Sequence, residues 1–274
     1  MDRSTMICRT CAVEHSKDLP ARCRICEDER QYMPPEGQLW VSLAQLGAEG
    51  QRIVVEELEP GLVDIHTIPG VGIGQHSKLV CTPSGNLLWD PPGFIDDAGV
   101  EAVRSYGAVV AIVASHPHMF GVQVEWSRAL DDAPVLVAEP DLEWVARRDP
   151  IIETWSEDVD VLPGVTLTQP GGHFPGSGVA LWRAGAGGRG VLLTGDTVLP
   201  NPDRSSLSFM RSYPNRIPLS AAVVERIATH LDRFDYDRIY GNFADVIDSD
   251  ARRILRRSAD RHMGWVRGDF DHLT

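Results

Sequence analysis

The chain has 274 residues, 43% of them hydrophobic, and sets 39 acidic side chains against 26 basic ones for a formal charge of -13. That length suits one large domain with a small appendage, and the acidic balance repels polyanions at long range, so nucleic acid is not expected as a partner. No window reaches the roughly 18 continuous apolar residues of a bilayer span, and the opening MDRSTMICRT lacks the apolar stretch of a signal peptide, so a cytoplasmic location without membrane association is expected.

Residues 1–33 are polar, too short to own a hydrophobic core, and hold four of the five cysteines. Cys8-x-x-Cys11 and Cys23-x-x-Cys26, with eleven residues between the pairs, place four thiolates on two knuckles, the donor set that tetrahedral zinc requires. In a reducing compartment this pattern reads as a metal site and not as disulfides. The ion would supply the folding free energy that so small a segment lacks, on the order of 10 kcal/mol. Iron in a rubredoxin-like site is the alternative, since four thiolates suit it as well. Pro34-Pro35-Glu36-Gly37 then breaks the chain. The predicted division is a zinc ribbon over 1–33, a linker with a short helix over 34–50, and a second domain over 51–274.

From Ile53 onward, β-rich runs alternate with turn signals: Leu62 to Ile68, Leu79 to Thr82, the turn Pro83-Ser84-Gly85-Asn86, then Leu87 to Trp89, a predicted meander. Cys81 stands alone in one of these runs and reads as a small buried apolar residue. A helix over Asp96 to Tyr106, a strand over Val109 to Ala114, a helix over Val122 to Leu130 and a strand over Val135 to Ala138 follow. Further strands are expected at Val165 to Thr168, Val179 to Trp182 and Val191 to Thr194, with Gly185 to Gly190 a hairpin loop. Helices are expected at Leu219 to Arg233 and Ser249 to His262, the latter with an arginine-rich solvated face. The order of elements supports an α/β or α+β class with helices outside two sheets.

The strand Val109 to Ala114 runs into Ser115-His116-Pro117-His118, so two imidazoles leave a strand end at alternate positions. His173 sits in Gly171-Gly172-His173-Phe174-Pro175-Gly176, and Asp196 in Leu193-Thr194-Gly195-Asp196-Thr197 just past another apolar run. This order of motifs, with Leu87-Leu88-Trp89-Asp90 ahead of it, resembles the metallo-β-lactamase superfamily over most of residues 50 to 245. The resemblance implies an α+β fold, the αβ/βα four-layer sandwich, with the small N-terminal zinc ribbon added to it. It implies that His116, His118 and His173 hold a zinc and that Asp196 matches the bridging aspartate. The family motif is His-x-His-x-Asp-His, whereas this chain reads His116-Pro117-His118-Met119-Phe120-Gly121. The last family histidine falls near Ile239-Tyr240-Gly241-Asn242, where Asn242 is a poor ligand. One ion is therefore expected, zinc or another divalent transition metal, with Asp196 its fourth ligand or the general base. Asp90 is expected behind a ligating histidine, fixing its tautomer.

Phe120 either fills the space of the missing second metal or stacks on substrate. Asn201 to Pro218, with Arg211 and Tyr213, is either a substrate wall, shared with Asn242, or a surface connection. His15, His66, His76, His230, His262 and His272 show no paired ligand spacing and read as structural or exposed. The function so implied is hydrolysis of a small ester, thioester, lactone or amide by metal-bound hydroxide. The alternative is a module that has lost turnover and uses the ribbon to contact a partner, which a second copy of the chain would also satisfy.

Overall fold

The computed structural model describes residues 2–274, which divide into two compact units, the first ending at Trp155 and the second beginning at Ser156. Among the described residues no helix is long and apolar enough to cross a membrane.

The first unit opens with the cysteine-rich segment. Strands β1 (Met6–Cys8), β2 (Glu14–His15) and β3 (Trp40–Ser42) form a three-stranded sheet in the order β2-β1-β3, with the single turn α1 (Arg24–Glu27) on the second knuckle. The small sheet thus runs past residue 33, because β1 needs an antiparallel partner on each side and Trp40–Ser42 provides the second. Ser42 then caps α2 (Leu43–Ala48) through a reciprocal capping box with Gln45.

Seven strands make the unit's main sheet: β4 (Arg52–Glu59), β5 (Leu62–Ile68), β6 (Ser77–Thr82), β7 (Gly85–Trp89), β8 (Val109–Val113), β9 (Val135–Ala138) and β10 (Ile152–Trp155). They lie side by side in the reverse of chain order, antiparallel from β4 to β7 and parallel from β7 to β10. The predicted meander is the antiparallel half. The parallel half needs three crossovers, supplied by α3 (Asp97–Arg104), α4 (Gln123–Ala129) and the short 3-10 segment Glu139–Trp144 between β9 and β10. Asp96 caps α3 by accepting from Gly99 N at 2.7 Å. Strand β8, Val-Val-Ala-Ile-Val, is apolar almost throughout, as a strand hydrogen-bonded on both edges in a parallel region should be.

The second unit holds a six-stranded sheet of order β11-β12-β13-β14-β19-β20, comprising β11 (Val159–Leu162), β12 (Val165–Thr168), β13 (Val179–Trp182), β14 (Val191–Leu193), β19 (Arg238–Tyr240) and β20 (Val246–Ile247). Only β14 and β19 run parallel. A distorted turn, α5 (Gly185–Gly188), closes the expected hairpin between β13 and β14. Two short ribbons, β15 (Leu199–Pro200) with β16 (Leu207–Ser208) and β17 (Met210–Ser212) with β18 (Ile217–Pro218), follow β14. Helices α6 (Ala221–Leu231) and α7 (Ala251–Arg267) bury Val224, Ile227, Leu231, Ile254, Leu255 and Met263 in this unit's core. The arginines of α7 face outward, Arg252 pairing with Asp235.

Candidate metal centre

Four buried thiols meet on the two knuckles of the first unit, with Cys8 Sγ 3.6 Å from Cys26 Sγ and Cys11 Sγ 3.7 Å from Cys23 Sγ. A tetrahedron with zinc–sulfur arms near 2.3 Å has edges of about 3.8 Å, so the donor set fits that ion closely. Hydrogen bonds from Cys11 draw the Cys8 thiol down to about 6, while those to Cys23 push Cys11 well above the usual thiol range. Thiolates this close share protons unless a cation neutralises them. Gln38 braces the cluster, donating to Cys8 Sγ at 3.2 Å and accepting from Cys23 N at 2.9 Å.

The first histidine pair hangs from the end of β8. Because β7 and β8 are parallel with Trp89 opposite Val113, Asp90 and Ser115 leave the same sheet edge together. Asp90, fully buried, accepts from Ser115 N at 2.6 Å and from Ser115 Oγ at 3.1 Å. The same hydroxyl lies 2.9 Å from His116 Nδ1. With its one proton given to Asp90, Ser115 Oγ accepts from His116 Nδ1–H, which leaves Nε2 as that ring's donor atom toward a metal. Asp90 therefore acts on the histidine through Ser115, a residue the sequence reading did not single out. His118 follows on the turn Pro117–Met119, its ring centroid 5.1 Å from that of His116, and both side chains are buried.

The second pair belongs to the other unit. His173 lies on the loop between β12 and β13, where Gly172 has φ +109° and a Cβ there would meet Ile227 Cδ1 at 2.6 Å, so glycine is required beside the histidine. His173 Nδ1 donates to the Met210 carbonyl at 3.1 Å, and its Nε2 stands 3.7 Å from Asp196 Oδ2. Asp196 follows β14, and the parallel pairing of Leu193 with Tyr240 brings the Asp196 turn and Asn242 out at one edge of the second sheet. Burial pushes the Asp196 carboxyl up to about 7, a shift that a bound cation would reverse. Tyr213 Oη reaches the Asp196 and Ser208 carbonyls at 3.3 and 3.2 Å, and burial followed by the Asp196 charge raises its pKa well above the ordinary phenol value.

A family model described as the metallo-beta-lactamase superfamily matches residues 70–241, which takes in both pairs and Asp90. The chain belongs to the metallo-β-lactamase superfamily. It is 40% identical over 271 residues to the uncharacterized protein YmaE of Bacillus subtilis (strain 168), covering 97% of this chain and 98% of that one. Among solved structures, the DIM-1 metallo-beta-lactamase aligns with a TM-score of 0.58 at 13% identity, over 77% of this chain and 97% of its own. FIM-1 from Pseudomonas aeruginosa, in its mono-zinc form, aligns at 0.53 and 14%, over 77% and 96%. These likenesses give the chain the α+β sandwich fold with mixed sheets.

The remaining predicted site residues are placed as follows. Phe120 is buried in the apolar core of the first unit, so it fills volume there. Asn242 is buried and its Nδ2 makes no hydrogen bond, whereas Arg211 and Tyr213 are half-buried on or beside β17. Sequence reasoning set His66 and His76 aside as structural or exposed. The structure brings both Nδ1 atoms onto Asp64 Oδ2, at 2.8 and 2.7 Å, while buried Lys78 holds Asp64 Oδ1 at 2.9 Å. A cationic lysine on the same carboxylate offsets the charge a metal would need, so this cluster fits a buried ion pair better than a metal site.

Proposed function

We propose that His116, His118, His173 and Asp196, taken in the order of the superfamily's metal motifs, are ligands of one divalent transition metal, and that the protein is a metal-dependent hydrolase of small acyl compounds. The carrying observation is the way two histidines of the set are oriented: His116 through Ser115 to Asp90, and His173 through the Met210 carbonyl, each spending Nδ1 and presenting Nε2. The set of three imidazoles and a carboxylate suits zinc, and the four positions follow the superfamily order. A bound divalent ion supplies Lewis acidity, polarising an acyl oxygen and acidifying water. The chain's own groups orient the imidazoles, exclude solvent by burial, and place the Asp196 carboxylate to accept a proton or complete the donor set.

Leu199, Pro200, Pro202, Tyr213 and Phe243, with the polar Asn201, Ser208 and Asp245, line a cavity of about 210 Å³, and Tyr213 links it to the Asp196 carbonyl. Such walls suit an uncharged acyl substituent, which favours esters, thioesters, lactones and amides over anionic phosphodiesters. The four-cysteine segment is proposed as a structural zinc ribbon. Elemental analysis should give two metals per chain, falling to one in His116→Ala/His118→Ala, and His118→Ala should abolish hydrolysis across an acyl panel. A second metal untouched by those changes, or a fully loaded protein inert on the whole panel, would overturn the reading and leave a partner-binding module in its place.

A further inference from the structure

Helix α4 starts directly after the histidine loop and has no capping side chain of its own. Its first-turn amide, Val124 N–H, donates instead to Glu14 Oε1 at 2.6 Å, a carboxylate on β2 of the cysteine-rich segment 110 residues upstream. Glu14 also uses its backbone, donating N–H to the Gly121 carbonyl at 3.0 Å. One residue thus grips both ends of 121–124. On the opposite side Val122 N–H donates to the Pro92 carbonyl at 3.1 Å, and a Cβ on Gly121 would lie 2.2 Å from the Pro91 carbonyl oxygen. The grip is reinforced by Arg147, whose Nη1 donates to Glu14 at 2.6 Å and to Glu125 at 2.8 Å, while Glu125 also accepts from Thr5 Oγ1 at 2.8 Å. Ala12, on the neighbouring knuckle turn, sits against Gly72 and Gly93 so closely that a Cβ on either would collide with it.

We infer that Glu14 is a positioning residue for the His116–His118 loop, and that the thiolate cluster and the histidine site are energetically coupled through it. The inference rests on the proposed role of His116 and His118 as ligands. Gly121 is three residues from His118, which is the middle residue of the tight turn Pro117–Met119 capped by Phe120, so displacing Gly121 displaces the imidazole. Anything that orders β2, above all an ion on Cys8, Cys11, Cys23 and Cys26, therefore strengthens binding at the histidines, and linkage makes the effect reciprocal.

The test measures zinc affinity of the histidine site by chelator competition, together with the d–d bands of Co2+ placed there, in full-length protein whose cysteine cluster keeps its zinc. Glu14→Ala is expected to weaken the histidine site by about tenfold or more and to shift the Co2+ bands. Glu14→Gln keeps an acceptor for Val124 N–H but turns its amide NH2 toward Arg147 Nη1, so it should restore part of the affinity. Should Glu14→Ala fail to fold, Glu14→Asp, whose carboxylate is drawn back by one methylene, must bind the ion more weakly than Glu14→Gln. Wild-type affinity and an unchanged spectrum in folded Glu14→Ala, or equal affinities for the Asp and Gln variants, would overturn the inference alone. A wild-type chain that takes up no ion at its histidines would overturn it together with the proposed function.

Discussion

Lys78 and Asp64 face each other in register across β5 and β6, 3% and 5% exposed, with Nζ and Oδ1 2.9 Å apart. Replacing Asp64 with Asn keeps the shape and removes the charge, leaving a buried ammonium beside two imidazoles that lose their carboxylate acceptor. Breaking a buried pair from one side costs about 3–5 kcal/mol, and burial this deep leaves solvent little room to screen it. The pH dependence carries a second, sharper signature. In the wild type, burial works to raise the Asp64 pKa but is outweighed by the His76 hydrogen bond and Lys78, which hold the carboxyl well below its usual range. That stability is present above the unfolded carboxylate pKa and is lost as pH falls through the depressed folded value. Burial already lowers the Lys78 pKa, and Asp64 is the main group opposing it. In Asp64→Asn the lysine falls further, so the unfolded chain binds more protons over a wider window and stability rises with pH toward the ordinary lysine range. Urea unfolding followed between pH 6 and 10 reads both effects. A loss under about 1 kcal/mol at pH 7, or a stability curve parallel to wild type, would refute the reasoning.

Ser115→Ala removes the hydroxyl between His116 and Asp90 and should lower zinc affinity at the histidine site by about 10- to 100-fold, measured by chelator competition, with the ribbon ion unaffected. Gly121→Ala forces a Cβ onto the Pro91 and Pro92 carbonyls at a φ of +51° and should cost roughly 2 kcal/mol or more; unchanged thermal stability would contradict the geometry. Cys23→Ser should strip one metal from the chain in elemental analysis and alter the near-ultraviolet circular dichroism of Trp40, which stacks edge-on with His15 at 4.4 Å.

Strands β5, β9, β12 and β13 fall on the predicted residues because each is an uninterrupted apolar or alternating run bounded by turn signals. Strands β10 and β11 escaped notice: Ile-Glu-Thr-Trp and Val-Asp-Val-Leu are half-exposed edge strands with little apolar pattern, defined by what they pair with. Helix α7 continues beyond His262 to Arg267, passing Gly264 where Phe270 packs too closely for a Cβ. The histidines and Asp196 were legible because each follows a buried strand within a few residues. Ser115, Lys78 and Glu14 were not, since their roles depend on partners 25, 14 and 110 residues away that only strand register and tertiary packing bring near.

The reach of Glu14 also sets an order of assembly. The strand pairing of the cysteine knuckles is complete once Ser42 has been made, so the ion proposed for these thiols could bind while the rest of the chain is still being synthesised. The loop that carries His116 and His118 acquires its last brace only with Arg147, which closes contacts to residues more than a hundred positions behind it. Such long closures come late in folding. The cysteine-rich segment is therefore made before the histidine loop that docks against it, and under the proposed ribbon reading a chain lacking the ion at its cysteines would present that loop with an unformed surface.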